Sequence, residues 1–249
     1  ERVVINFLSR SQAKGKNIPI LHTPPYELAY KELTLQTPLQ AAEARKVKVF
    51  CEDEIAVHFA KKLIKKRNIL RTVEFHSSLA PASTTPGTPY SALVSLCVQF
   101  PLLLEGSLVL FDADVPDEAV DKIKDKSLFL YLPDECGLAL ERRMVAYIIE
   151  LENHDNFFTK FDKERDMFLD EFKQAGIRSL TENHIKDATR TPIKNLKNWV
   201  ETNKSGFKQY VSYYCDNLPQ RSEFVDNFVD KINSINAAAG IPMIGAEGH

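Results

Sequence analysis

The 249-residue chain is poor in cysteine and glycine and has almost no net charge. Its four cysteines (Cys51, Cys97, Cys136, Cys215) stand far apart with no Cys-x-x-Cys pair, which argues against a disulfide framework or a zinc site. Reduced thiols, three of them in apolar or helical surroundings, are expected instead. Only nine glycines occur, and neither Gly-x-x-x-x-Gly-Lys-[Ser/Thr] nor Gly-x-Gly-x-x-Gly is among them, so the chain has no Walker loop of its own. The six histidines (His22, His58, His76, His154, His184, His249) show no paired ligand spacing, which disfavours a transition-metal centre. No apolar run approaches the roughly 20 residues that span a bilayer, so no integral membrane protein is expected. Lysine plus arginine total 32 against 34 aspartates and glutamates, which disfavours binding to nucleic acid by bulk positive charge. An enzyme that grips a phosphate backbone locally through metal ions stays open. The chain begins at Glu1 with no basic-then-apolar leader, and a cytoplasmic fragment of something larger is the expectation.

Residues 1–44 read as a preamble: an apolar run through Val3, Val4, Ile5, Phe7 and Leu8, then Lys14-Gly15-Lys16 and the breakers Pro19 and Pro24-Pro25. Lys46–Cys51 reads as a strand, followed at once by Glu52-Asp53-Glu54. A helix follows, with Ala56, Ala60, Leu63 and Ile64 on one face and Lys61, Lys62, Lys65, Lys66 and Arg67 opposite. Arg71–Phe75 reads as a second strand, 77–89 as a Ser/Thr/Pro loop, and Tyr90–Leu104 as a helix. Ser107–Phe111 is a continuous apolar strand of the kind buried on both faces of a parallel sheet, and Asp112-Ala113-Asp114 ends it. A short helix over Asp117–Lys124 and a strand over Leu128–Leu132 complete an α/β unit of about 100 residues. Beyond Leu151, aromatic residues recur at helical spacing and no strand pattern returns. Phe157, Phe158, Phe168, Phe172, Trp199, Phe207, Tyr210, Phe224 and Phe228 read as helix core rather than as a base-stacking platform.

Chemistry concentrates where acids follow strands. Ligands of open α/β sheets bind outside the carboxyl ends of the strands, and Glu52 on one hand and Asp112 and Asp114 on the other occupy two such ends. Carboxylates gathered in one crevice repel unless a cation neutralises them. Hard Mg²⁺ or Mn²⁺ does so while keeping waters and binding phosphate oxygens, which is the chemistry of metal-assisted phosphoryl transfer. The plainer alternative is that these acids cap the helices that follow them.

A glutamate directly after the first strand, then Asp-x-Asp after a later buried strand, resembles the Toprim domain of topoisomerases, primases and OLD-type nucleases. Leu132-Pro133 closing the fourth strand, Glu141 opening the next helix, the stretch Asn153-His154-Asp155-Asn156-Phe157-Phe158 and a late Lys197-Asn198-Trp199 narrow the likeness to the OLD (overcoming lysogenization defect) family. Those are the ATPase-linked nucleases of antiphage defence. The resemblance covers roughly residues 45–235. It implies an α/β fold, a Toprim-like parallel sheet flanked by helices, followed by an all-helical extension. Residues 1–44 would then be a linker or tail of a preceding ATPase domain, 45–150 the catalytic domain, and 151–249 a helical subdomain. It also implies a Mg²⁺- or Mn²⁺-dependent DNA endonuclease or nickase. Glu52, Asp112 and Asp114 would be both catalytic residues and metal ligands, Glu54 and Glu141 further ligands, and Lys197 the group facing the scissile phosphate, with Lys194 as its substitute. DNA, an ATPase domain or subunit outside this chain, and a second copy are the implied partners.

The match departs from the family at one place. The OLD pattern has glycine after the first glutamate and an acid four positions along, where this chain has Asp53 and Ala56. Asp53 or Glu54 would have to supply the missing carboxylate, and one metal or two stays open. Three other readings compete. Val49–Glu54 with Phe111-Asp112 resembles a receiver domain, but no Lys-Pro follows the last strand. Phe-Asp-x-Asp resembles haloacid-dehalogenase-type phosphatases, which carry threonine where Pro116 stands. A degenerate Toprim fold serving only as a docking module is the third.

Overall fold

The computed structural model describes residues 6–8, 20–22, 46–79, 87–241 and 243–244. Two compact units divide the chain, Glu1–Lys46 and Val47–His249. In the first, β1 (Asn6–Leu8) and β2 (Ile20–His22) pair antiparallel, with Asn6 opposite His22. The lysines, glycine and prolines assigned above to this segment as breakers lie outside the described residues, as does the middle of the Ser/Thr/Pro loop, 80–86.

The second unit is α/β. Its sheet holds β3 (Val47–Phe50), β4 (Val73–His76), β5 (Ser107–Phe111) and β6 (Phe129–Tyr131) in the order β4-β3-β5-β6, all parallel. The order follows from burial. β5 is apolar from Leu108 to Phe111 and lies at the centre with all five residues buried, while β3 alternates, with Val47 and Val49 inward and Lys48 exposed. Because side chains alternate along a strand, β5 feeds two cores. Leu108 and Leu110 join one, and Val109 and Phe111 join the other on the opposite face.

The second face is covered by α3 (Tyr90–Gln99) and α4 (Asp117–Val120), through Leu93, Val94, Cys97 and Val120. The first face carries α1 (Glu54–Ile64) and everything after β6: α5 (Leu140–Glu150), α6 (Asn156–Phe161), α7 (Arg165–Gln174), α8 (Glu182–Lys186), α9 (Ile193–Thr202), α10 (Lys204–Asn217) and α11 (Arg221–Ala238). The aromatic residues beyond Leu151 pack here. Phe157 meets Phe168 and Tyr210, and Trp199 meets Phe172 and Phe207, and all of these side chains are buried. The helices bind back to α1, where His58 Nε2 lies 2.8 Å from the Lys208 carbonyl and Arg221 Nε donates to the Leu63 carbonyl at 2.9 Å. One continuous core thus runs from β3 to α11.

β3 and β6 are each one residue shorter at both ends than expected, and three elements differ by more. The helix expected over Tyr90–Leu104 stops at Gln99, because Pro101 cannot donate an amide, and the chain continues as a 3₁₀ turn over Pro101–Leu104. The strand expected from Arg71 begins at Val73, since Arg67–Arg71 forms a short helix, α2, which Thr72 closes by donating its hydroxyl to the Ile69 carbonyl at 2.7 Å. The helix expected over Asp117–Lys124 ends at Val120. Cys51, Cys97 and Cys215 are buried free thiols and Cys136 an exposed one. No helix among the described residues is long and apolar enough to cross a membrane.

Candidate functional site

The strand order reverses direction between β3 and β5, since the chain goes from β3 outward to β4 and then returns to the other side. At such a switch point the loops leaving adjacent strands part and open a crevice. Glu52 leaves β3 and Asp112 leaves β5, so both flank this crevice. The loop after β3 is held by Cys51, whose amide donates to the His76 carbonyl at 2.9 Å, and by the Thr88 amide, which donates to the Glu52 carbonyl at 2.6 Å. Gly87 sits at φ +89°, and a Cβ there would meet the Glu52 carbonyl oxygen at 2.9 Å, so this close approach requires glycine.

The three acids after β3 divide their work. Asp53, in extended conformation, caps α1, its Oδ1 accepting from the Ile55 and Ala56 amides at 2.8 Å each. Glu54, expected as a further ligand, stands exposed in the first helical turn. Glu52 remains for the crevice. Burial first, then the charges of Asp53 and Asp114, push its carboxyl up to about 7, against the pull of Lys197. Asp112 is raised well above its ordinary value by burial, with Asp53, Glu52, Asp114 and Glu141 adding to it. Glu141, only 8% exposed in the first turn of α5, is raised by burial too, with Asp53 and Asp114 contributing and Lys197 opposing. Asp114 reaches solvent at the lip. The surrounding walls still raise its carboxyl, while Lys197 and Arg142 hold it down.

Glu52, Asp112, Asp114 and Glu141 therefore share one field, although they come from β3, β5 and α5. Lys197 of α9 acts on Glu52, Asp114 and Glu141 from its exposed position. Lys194, one turn earlier on the same helix, is exposed. Asp53 belongs to the cluster by charge while its Oδ1 serves the α1 backbone. Among the described residues no three His, Cys, Asp or Glu side chains stand close enough together to hold a metal ion as they are.

Two buried arginines missed at the level of sequence frame the site. Arg143 Nε and Nη2 grip Asp134 Oδ1 and Oδ2 at 2.5 and 3.2 Å, and Asp134 Oδ2 also accepts from the Cys136 and Leu138 amides at 2.9 Å each. Arg142 is 4% exposed and bonds backbone carbonyls ahead of α9. Glu141-Arg142-Arg143 is thus a run of three buried charges. The signal was the apolar Met144–Ala146 and Ile148-Ile149 directly after it, since a helix buried so far round leaves consecutive charges no solvated face.

The raised carboxyls set a pH dependence. In the metal-free protein they bind protons that the unfolded chain releases, so their contribution to stability is present at low pH and is lost as pH rises from the ordinary 4.5 of Glu52 through about 7. Thermal melts in chelator are expected to show a falling Tm across that window. A Tm that is flat or rising there would mean that the cluster is not coupled as described.

No protein-family model, curated protein or solved structure matches this chain.

Proposed function

We propose that the crevice is a Toprim-type site that cleaves phosphodiester bonds of DNA with Mg²⁺ or Mn²⁺, in an OLD-like nuclease whose ATPase lies outside this chain. The observation that carries the reading is the convergence of Glu52, Asp112 and Asp114 on the switch point of a parallel sheet, joined there by Glu141 and Lys197 from two further helices. The donors are all carboxylate oxygens that repel one another, from buried Glu141 to exposed Asp114, which suits a hard divalent cation. Glu52, Asp112, Asp114 and Glu141 would hold it, closing inward from their present spacing. Bound there, it would supply an activated water and offset charge on the leaving oxygen.

The chain's own groups do the rest. Glu52, raised to about 7 without the ion, gives up its proton as the ion binds and is then available as the general base of this reading. Lys197, exposed at the lip, is free to face the scissile phosphate and lend it positive charge. Asp53 fixes the turn that presents Glu52.

The docking-module reading is favoured by one observation: the carboxylates of the described residues do not already form a ligand set, and Asp53 is committed to capping α1. Supercoiled and linear DNA incubated with Mg²⁺ or Mn²⁺, with and without an ATPase partner, separates the two. The nuclease reading expects nicks or breaks from the wild type and none from Glu52→Ala. Intact DNA under every condition would leave the docking module.

The lysines give a sharper test. Lys197→Met is expected to slow cleavage by about 10²–10³-fold, the usual loss for one charge-stabilising donor, whereas Lys194→Met leaves the rate close to that of the wild type. Equal losses in both variants would remove Lys197 from its role.

A further inference from the structure

Arg142 follows Glu141 on α5, and while its charge is felt at Asp114, its hydrogen bonds go to the segment that leads into α9. Nη1 donates to the Ile185 carbonyl at 2.5 Å and, more weakly, to that of Asp187 at 3.4 Å, while Nη2 donates to the Thr191 carbonyl at 2.8 Å. Ile185 and Asp187 lie at the end of α8, where carbonyls have no partner within the helix, so the guanidinium completes that end. Thr191 is buried and donates its hydroxyl to the His184 carbonyl at 2.7 Å, and its amide donates to the Asp187 carbonyl at 3.0 Å. The segment from His184 to Thr191 is thus a closed loop with Arg142 at its centre. Pro192 follows, and α9 starts at Ile193.

We infer that Arg142 is a positioning residue: it ties the Ile185–Thr191 segment to α5 and so holds α9 where Lys197 faces the carboxylates. The inference rests on the nuclease reading. Asp114, Asp187 and Glu141 act on the charge of Arg142, but its hydrogen bonds go to backbone carbonyls. A buried guanidinium without an ion pair in contact is costly to keep, and a methionine would fill the space more cheaply if packing were its whole purpose. Glu141 and Arg142 are consecutive, so one turn of α5 sets both a carboxylate of the crevice and the entry to the helix that carries its lysine. Asn195 adds a second tie from α9, donating to the Gly176 carbonyl at 2.8 Å, and Trp199 a third, its Nε1 donating to Glu171 at 3.1 Å. Those two fix the face of α9 that packs on α7, whereas Arg142 fixes its entry beside α5.

The test has two arms. The first needs no activity: hydrogen exchange over residues 185–202, and the emission of Trp199, the chain's one tryptophan. Arg142→Met is expected to speed exchange in that segment and shift the emission, with Arg142→Lys between it and the wild type. Exchange and emission identical to the wild type in Arg142→Met would overturn the tie. The second arm is cleavage kinetics. Arg142→Met is expected to lower kcat by about 10²-fold with KM unchanged, the scale of a misplaced catalytic group. Arg142→Lys recovers part of that loss. Combined with Lys197→Met, Arg142→Met should cost little further, because its main effect runs through the Lys197 ammonium and only a lesser one through its charge at Asp114. Losses that multiply in the double variant would overturn the assignment. Should Arg142→Met not fold, Arg142→Lys carries both comparisons. A wild type that cleaves nothing refutes the nuclease reading alone, and the exchange arm still decides the tie.

Discussion

Replacing Asp112 by asparagine is expected to abolish cleavage and, in chelator at alkaline pH, to raise the melting temperature. Removing a group that merely supports a ligand costs about 10–100-fold in metal affinity or activity, so loss of a ligand should exceed 100-fold. The gain in stability has a separate cause. Asp112 is pressed by burial and by Asp53, Glu52, Asp114 and Glu141, so its ionised form is strained whenever no cation is present. Asparagine keeps the shape and removes the charge. A relief of about 1 kcal/mol would appear as roughly 2–4 °C in a unit of this size. The gain should vanish at acid pH, where Asp112 is protonated already, and shrink when Mg²⁺ stabilises the wild type by binding it. This opposition of activity and stability distinguishes a functional cluster from an ordinary cap, whose loss would destabilise. Urea or thermal melts at two pH values, beside a nicking assay, read both halves.

The second large effect concerns the frame. Arg143→Met strands Asp134, whose side chain is only 3% exposed, and breaking a buried pair from one side costs about 3–5 kcal/mol. Denaturation with urea should show a loss of that size, on the order of 10 °C in Tm. Asp134 also holds the amides of Cys136 and Leu138, so the loop between β6 and α5 should loosen with it. Asparagine still accepts those two bonds. The pair Asp134→Asn with Arg143→Met should therefore be more stable than Arg143→Met alone. If the double variant is the less stable, the cost lies in packing around Arg143 rather than in the stranded charge.

Much of the sheet was legible in the chain. Ser107–Phe111 could be read as a central strand because Leu108-Val109-Leu110-Phe111 is apolar without a break, and Lys48 between Val47 and Val49 marked a strand with one open side. Acids directly after both strands then pointed to the crevice through topology alone. The limits are equally physical. Glu52-Asp53-Glu54 offers three interchangeable carboxylates on paper, and only the backbone angles of Asp53, φ −147° and ψ −178°, decide that it caps α1 while Glu54 faces solvent. The short helix α2 displaced the start of β4 because Arg67–Arg71 satisfies a helical turn as well as a strand. Lys197 entered through a family resemblance and not through spacing, since a lysine so far along the chain meets Glu52 only by way of the packing of α9 on α5. Arg142 and Arg143 drew no reading from the sequence, and what buries them, the loop before α9 and Asp134, is remote from any local pattern.

The account stands on one claim, that the negative charge at the strand ends is there to hold a divalent cation. Calorimetric titration of Mn²⁺ into the protein near pH 7, in two buffers of different ionisation enthalpy, tests it most directly. The raised carboxyls of Glu52 and Asp112 must lose protons as the ion binds. The predicted result is saturable binding with proton release in the wild type and neither in Asp112→Asn. No binding by the wild type, or binding that Asp112→Asn leaves unchanged, would contradict it.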